Sequence, residues 1–281
     1  MRLSLIFVCL LTACSTLGNS NTSPLVVSPT NTNASNQLID RVRVPVGYQR
    51  LKPPTGSFAN WLQHLKLKPG TPAVHLFDGS LKRNQSAHVA VVDIDTGTTD
   101  LQQCADAVMR LRAEYLFSSG KKSKIAFNFT SGFRCDFAKW AEGYRPEVTG
   151  NTVRWVKTAS TDGSYKSFRE YLIPVFTYAG TASLSQELKP VSNTREIEIG
   201  DVFIQGGFPG HAVIVVDVAT HQQTKERLFL LAQSYMPAQE IHLLRNPTNN
   251  QLNPWYSANF QGNVETPEWT FPPGSLKRFG E

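Results

Sequence analysis

The sequence predicts an α+β fold in which a helical part is followed by an antiparallel sheet. The strongest helical pattern lies at 101–117, and four strand-like segments follow one another between residues 201 and 244. Helices followed by a run of consecutive strands are typical of an α+β domain, whereas regular alternation indicates a parallel α/β sheet. We therefore expect a helix packed on one antiparallel sheet.

The predicted helices rest on apolar side chains that recur at helical spacing. Residues 101–117 carry one apolar stripe at i, i+3 and i+4 positions, and Asp100 is the expected N-cap. Asp106 and Arg110, four residues apart on this helix, are interpreted as a surface ion pair. Further helical segments are predicted at 57–67, with Ser57 as N-cap, at 135–142, and at 165–178 with an interruption at Pro174.

The predicted strands are short runs rich in β-branched and aliphatic residues, bounded by turn residues. They lie at 88–95, 124–129, 201–205, 211–219, 227–235 and 240–244. The Gly-Gly-Phe-Pro-Gly run at 206–210 is expected to be a hairpin loop between two of them.

The N-terminus has the pattern of a bacterial export signal. Arg2 is followed by a short apolar run that ends in Leu-Thr-Ala-Cys at 11–14. This run is well below the ~20 apolar residues needed to span a bilayer, and it fits the apolar part of a secretory signal. The four residues match the lipobox, so we predict removal of residues 1–13 and a lipid on Cys14 that holds the protein on a membrane. The alternative is an ordinary signal peptide that contains a cysteine by chance.

The next segment, 14–37, is predicted to be a disordered tether. Residues 15–37 carry no charge and are mostly Ser, Thr, Asn and Pro, so they bury too little apolar surface to offset their ordering entropy. The rest, 38–281, is predicted to be a single globular domain with this N-terminal extension. The expected location is the bacterial cell envelope. Ser15, where an aspartate would favour the inner membrane, favours the outer membrane of a Gram-negative source.

Charge and motif spacing argue against several function classes. The net charge is +6, but no basic run is longer than two residues, so nucleic-acid binding is not expected. The Gly-rich turns lack a following Lys-Ser/Thr, which argues against a P-loop. His75, His88 and His242 have no ligand-like spacing around them. We therefore predict no metal site and no cofactor.

Cys104 and His211 are the predicted reactive pair. A cysteine in the first turn of a helix faces the positive end of the helix dipole and free N–H groups, which lower a thiol pKa and hold an oxyanion. His211 begins a buried strand directly after a Gly-rich turn. Nucleophile and base are the minimum for thiol acyl transfer, and a third polar group orients the imidazole. Gln233 on the next strand is the candidate. Asp217 is weaker, because six residues of strand separate it from His211 by about 20 Å.

The order of these motifs resembles a known family. Gln103-Cys104 opens a helix, Gly200-Asp201-Val202 begins a strand, and Gly210-His211 leads into an apolar run. The papain-like cell-wall hydrolases of the NlpC and CHAP type carry such motifs in the same order. The resemblance covers roughly residues 100–245 and implies a papain-like fold. It also implies Cys104 as nucleophile, His211 as base and Gln233 as the third residue. The chain departs from the pattern in its 107-residue Cys-to-His spacing and in having Gln as that third residue.

The whole chain also resembles an uncharacterised bacterial lipoprotein family, defined only as a domain of unknown function. The stretches that carry this resemblance are 78–85, 101–107, 110–115, 206–211 and 232–239.

Two functions from different classes remain open. The first is a thiol amidase or peptidase that acts on cell-envelope material such as peptidoglycan. The second is a non-enzymatic envelope lipoprotein that binds glycan or a partner protein. Exported cysteines can form disulfides, and a Cys104–Cys135 bond would favour the second function because it would silence the thiol.

Overall fold

The computed structural model describes residues 36–280, which form a mixed α+β structure around a large antiparallel sheet. The predicted signal peptide, Cys14 and nearly all of the predicted tether lie outside the described residues, so export and lipidation stay predictions.

Six α-helices lie within residues 36–280. They are α1 (Leu38–Arg41), α2 (Phe58–Gln63), α3 (Cys104–Ser118), α4 (Phe137–Ala141), α5 (Tyr165–Tyr178) and α6 (Thr181–Glu187). Among these described helices, none combines the length and the apolar character that crossing a membrane requires.

The same residues form fifteen strands. They are β1 (Tyr48–Arg50), β2 (His88–Val91), β3 (Ala126–Asn128), β4 (Arg134–Asp136), β5 (Tyr144–Thr149), β6 (Thr152–Lys157), β7 (Lys189–Pro190), β8 (Val202–Gln205), β9 (His211–His221), β10 (Arg227–Gln233), β11 (His242–Leu244), β12 (Tyr256–Ser257), β13 (Val264–Glu265), β14 (Thr270–Phe271) and β15 (Leu276–Arg278). The main sheet has the order β2-β11-β10-β9-β8-β15-β7, with β1 paired to β9 and β12 paired to β10. The pairs β3-β4, β5-β6 and β13-β14 are separate two-stranded sheets.

Strand β9 is the centre of the fold. Residues 211–219 are buried at every position, which means that both faces of the strand are covered. Helices α2 and α3 pack against β9, while β8 and β10 pair with its two sides. This arrangement brings the N-terminal part of α3 next to the beginning of β9.

Helix α3 begins three residues later than predicted. Gln103 is the N-cap, and its backbone N–H donates to Asp106 Oδ2 at 3.0 Å, as in a capping box. Asp100 is not the cap; its Oδ1 accepts from the backbone N–H of Ala238 at 2.6 Å and from the side chain of Gln103 at 3.0 Å. Cys104 is therefore the first residue of the helix.

The predicted surface pair of Asp106 and Arg110 is wrong. Both side chains are buried, and Arg110 donates instead to Glu114 at 2.8 Å and to Gln102 Oε1 at 2.8 Å. The buried face of α3 is therefore wider than its apolar stripe, because it includes Arg110, whose guanidinium also donates to the backbone oxygen and the carboxylate of Asp95.

Other differences from the prediction are local. Helix α5 matches 165–178 but continues through Pro174. Residues 135–136 belong to β4, and the helix there begins only at Phe137. The β5-β6 hairpin and helix α6 were not predicted.

Candidate functional site

Cys104 lies where α3 meets the beginning of β9. Its side chain is half-buried, and its sulfur accepts a hydrogen bond from the backbone N–H of Ala212, the residue after His211. The backbone N–H groups of Cys104 and Ala105 also point toward the sulfur. These donors belong to the unpaired first turn of a helix, so they are available to a negative charge that forms at this point.

His211 is positioned by the turn that precedes it. It pairs with Gln205 across the β8-β9 hairpin, and the connecting turn ends at Gly210. A Cβ on Gly210 would lie 2.4 Å from the Gly207 carbonyl oxygen and 2.8 Å from that of Gln205. Only glycine therefore fits at position 210, and the conformation of this turn fixes the position of His211 at the start of β9.

Gln233 at the end of β10 orients the imidazole. His211 Nε2 lies 2.9 Å from Gln233 Oε1 in a buried hydrogen bond. A carbonyl oxygen only accepts, so Nε2 carries the proton and the Nδ1 lone pair of the neutral ring is free. A free Nδ1 is what a general base requires.

A buried polar network fixes the direction of the Gln233 amide. Its Nε2 donates to Glu268 Oε2 at 2.8 Å and lies 3.3 Å from His242 Nε2. His242 Nδ1 donates to the carbonyl of Glu240 at 2.8 Å, which leaves its Nε2 as an acceptor. Glu268 in turn forms an ion pair with the buried Lys82. Both protons of the amide are therefore used, and its oxygen faces His211.

Sequence reasoning missed His242, Glu268 and Lys82. His242 has no ligand-like neighbours in the sequence, no local motif surrounds Glu268, and the 78–85 stretch that contains Lys82 gives no sign of a role at the site. Only the pairing of β10 with β11, which places Gln233 opposite His242, reveals the network.

Aromatic rings enclose the imidazole of His211, which is 1 % exposed. The ring centroids of Tyr235, Trp269 and Phe271 lie 4.8, 5.2 and 5.8 Å from that of His211. The indole N–H of Trp269 is buried and donates to no described residue. The imidazole is therefore surrounded largely by aromatic rings, and the Trp269 indole N–H beside it has no partner among the described residues.

Burial controls the charge of the pair. Desolvation, with a smaller contribution from the nearby Asp106 side chain, raises the pKa of the Cys104 thiol to about 11, despite the opposing effect of the Ala212 N–H. Desolvation also lowers the pKa of His211 to about 4, against the opposing effect of Gln233. The predicted lowering of the thiol pKa at the helix N-terminus is wrong, because desolvation outweighs the backbone N–H groups that lower it. At neutral pH both groups are uncharged.

The second cysteine lies elsewhere. Cys135 is buried on β4, where desolvation raises its pKa to about 12. Both Cys104 and Cys135 are free thiols in the structure.

Asp217 serves the core rather than the site. Its carboxylate accepts from Arg50 Nε at 2.6 Å and from Gln63 Nε2 at 2.8 Å. No group of three or more His, Cys, Asp or Glu side chains within 36–280 is arranged to hold a metal ion.

One comparison with known proteins covers almost all of the described structure. The model of a family described as a domain of unknown function (4846) matches residues 38–278. No curated protein and no solved structure matches the chain significantly.

Proposed function

The chain belongs to this domain family of unknown function, and we propose that it is a papain-like thiol amidase or peptidase that acts on cell-envelope material. The observation that carries the proposal is the hydrogen bond from His211 Nε2 to Gln233 Oε1. It leaves Nδ1 free on the residue directly before Ala212, whose N–H contacts the Cys104 sulfur.

The roles of the three residues follow from their atoms. His211 Nδ1 takes the thiol proton as Cys104 Sγ attacks the amide carbon, and the carbonyl oxygen becomes an oxyanion. N–H groups at the start of α3 stabilise that oxyanion. The C–N bond then breaks, His211 returns the proton to the amine, and a thioester remains on Cys104. Water, deprotonated by His211, then attacks the thioester carbon; the C–S bond breaks, the acid is released, and His211 returns the proton to Cys104 Sγ.

The neutral resting pair defines the type of catalysis. With a thiol pKa near 11 and a His211 pKa near 4, no standing thiolate–imidazolium pair forms. Proton transfer therefore accompanies the attack, as in general-base catalysis. Gln233 supports this step because its oxygen stabilises the imidazolium that develops.

The proposed substrate follows from the predicted location. A lipid on Cys14 would place the domain on a membrane, within a tether length of roughly 25–30 Å. Amide-linked envelope polymers, peptidoglycan among them, lie within that reach. Phe208 (95 % exposed) and Met236 (56 % exposed) lie on loops at the end of the sheet that carries His211 and offer apolar contacts to such a substrate.

A binding function is the second candidate, and the pKa values of the pair favour it. A thiol whose pKa is raised and a histidine whose pKa is lowered are also what a buried, unreactive pair would show. On this alternative the domain is an envelope lipoprotein that binds glycan or a partner protein.

Release of amino groups from purified peptidoglycan tests the proposal. We expect the wild-type protein to release them, Cys104→Ser to lose the activity, and Cys135→Ser to keep it. The binding alternative predicts sedimentation of the protein with peptidoglycan, equal in wild type and Cys104→Ser, and no release.

A further inference from the structure

A second feature lies toward the other end of α3, in a cavity of about 690 Å³ between the 51–54 loop, α2 and the C-terminal half of α3. We call it the basic cavity. The cationic side chains that line it are Lys52, Arg112, Lys121, Lys124 and Arg227. Glu198 is the only acidic residue among the described residues of its lining, and it forms an ion pair with Arg278 outside the cavity at 2.8 Å. The cavity therefore carries uncompensated positive charge.

Arg112 is the central cation of the basic cavity. Its side chain is half-buried, and its guanidinium forms no hydrogen bond or ion pair with any residue in the described part of the chain. The group instead lies over three aromatic rings, with centroids 4.9 Å (Phe58), 5.6 Å (Tyr115) and 5.2 Å (Phe279) away. These contacts hold the guanidinium in place but satisfy none of its N–H groups. Because burying an unpaired charge is costly, an anion that pairs with Arg112 gains affinity by relieving that cost.

The neighbouring cations add to this charge. Lys121 donates to the Tyr115 hydroxyl at 2.6 Å and lies 4.9 Å from the centre of that ring, so it is held beside Arg112. Lys52 and Lys124 have no carboxylate partner among residues 36–280. The cavity thus offers the oriented, planar guanidinium of Arg112 and several lysine ammonium groups. This combination suits a ligand with more negative charge than one carboxylate. Guanidinium binds phosphate through two parallel hydrogen bonds, and lysine supplies further charge.

The basic cavity is separate from the Cys104 site. Arg112 is eight residues along α3 from Cys104, about 12 Å along the helix axis. No residue of the His211 network lines the cavity.

We propose that the basic cavity binds a phosphate group, free or esterified, through Arg112 with Lys52, Lys121 and Lys124. This proposal does not depend on the proposed amidase activity. Phosphate groups reach such a cavity from two sources, a soluble phosphate compound or the headgroup of an anionic lipid.

Binding assays with two probes test the proposal. The protein is the full chain with Cys14→Ser, so that lipid on residue 14 does not itself hold it on vesicles. One probe is inorganic phosphate, titrated by calorimetry. The other is vesicles of phosphatidylcholine with phosphatidylglycerol, compared with phosphatidylcholine alone by sedimentation. Saturable binding of either probe supports the proposal, and the probe that binds identifies the source.

Variants locate the binding. We expect Arg112→Gln to raise the dissociation constant about tenfold and Lys124→Gln about threefold, because the first removes a bidentate partner and the second one exposed charge. Lys124 is exposed, so its variant keeps the test valid if Arg112→Gln does not fold. Lys166→Gln, an equal loss of charge on the exposed face of α5, is the matched control and should change nothing. The proposal is overturned if neither probe binds saturably, if both cavity variants bind like the wild type, or if Lys166→Gln weakens binding as much as Lys124→Gln.

Discussion

His211 and Gln233 lie on adjacent strands and are joined by a buried hydrogen bond of 2.9 Å from the imidazole Nε2 to the amide oxygen. The bond decides which nitrogen of His211 carries the proton. Since Glu268 and His242 occupy the amide nitrogen of Gln233, the amide cannot turn over without losing both contacts. The orientation of the base is therefore built into the core of the sheet.

Replacing Gln233 should slow the chemistry of Cys104. Gln233→Met keeps the size of the side chain but removes the acceptor of the His211 proton, so Nδ1 is no longer held as the free nitrogen. We expect the alkylation rate of Cys104 to fall about tenfold to a hundredfold. Gln63→Met is the matched control, since Gln63 is also a buried amide but bonds to Asp217 and the Leu51 carbonyl. Gln63→Met should lower stability and leave the alkylation rate of Cys104 unchanged. Equal alkylation rates in Gln63→Met and Gln233→Met would show that Gln233 does not orient His211.

Replacing Gly210 should displace His211. In Gly210→Ala the new Cβ meets two backbone carbonyls closer than 3 Å, so the turn must open. We expect a loss of about 1–3 kcal/mol in unfolding free energy, together with a slower reaction of Cys104. Gly163→Ala is the control, because its Cβ would meet only the Ala141 methyl at 3.9 Å. Denaturant unfolding measures the difference, and a fully stable Gly210→Ala protein would contradict the predicted clash.

The two buried histidines should make the fold sensitive to mild acid. Burial lowers the pKa of His211 to about 4 and that of His242 to about 3, from an ordinary value of 6.5. Below pH 6.5 the unfolded chain therefore binds protons that the folded chain does not. Stability falls as pH decreases from 6.5 toward 4, by up to ~1.4 kcal/mol per pH unit for each histidine.

Urea unfolding of wild type and His211→Gln at pH 7 and pH 5 isolates this effect. The loss between the two pH values should be smaller in the variant, by about 1–2 kcal/mol. An identical loss in both proteins would show that His211 titrates normally in the fold.

Asp106 should destabilise the fold at neutral pH. Burial raises its pKa well above the ordinary value, and its Oδ1 has no partner among the described residues. Ionisation of the folded protein is thus disfavoured, so the stability present at low pH is lost as pH rises above about 4. Asp106→Asn keeps an oxygen acceptor for the Gln103 N–H and should gain about 1–3 kcal/mol at pH 7, with the gain vanishing near pH 3. Thermal unfolding of wild type and Asp106→Asn at the two pH values tests this prediction. A variant less stable than wild type at pH 7 would mean that the capping contact of the ionised carboxylate stabilises the fold by more than its burial costs.

Elements with strong local patterns could be predicted from the sequence. The α5 boundaries match 165–178, and β8 to β11 lie where apolar runs end in turn residues. The start of α3 was misplaced because the side chain of Asp100 serves the distant backbone of Ala238, a contact that no local pattern reveals. The β5-β6 hairpin was missed because its strands are largely polar and only half-buried.

The candidate site was predictable only in its three short motifs. Cys104, His211 and Gln233 follow recognisable signals: a helix start, a glycine turn and the next strand. The residues that orient Gln233 come from separate parts of the chain and meet only through strand pairing. The basic cavity was hidden for the same reason, since its cations are scattered along the sequence as single residues or a short pair and converge only in the fold.

The rate at which Cys104 reacts with a small electrophile, measured against Cys135 by peptide mapping, tests the central claim most directly. We predict that Cys104 reacts faster in the wild type and that the preference disappears in His211→Ala, because the neutral thiol depends on that imidazole for deprotonation. Equal rates for the two cysteines in the wild type, or a Cys104 preference that survives in His211→Ala, would contradict a Cys104–His211 reactive pair.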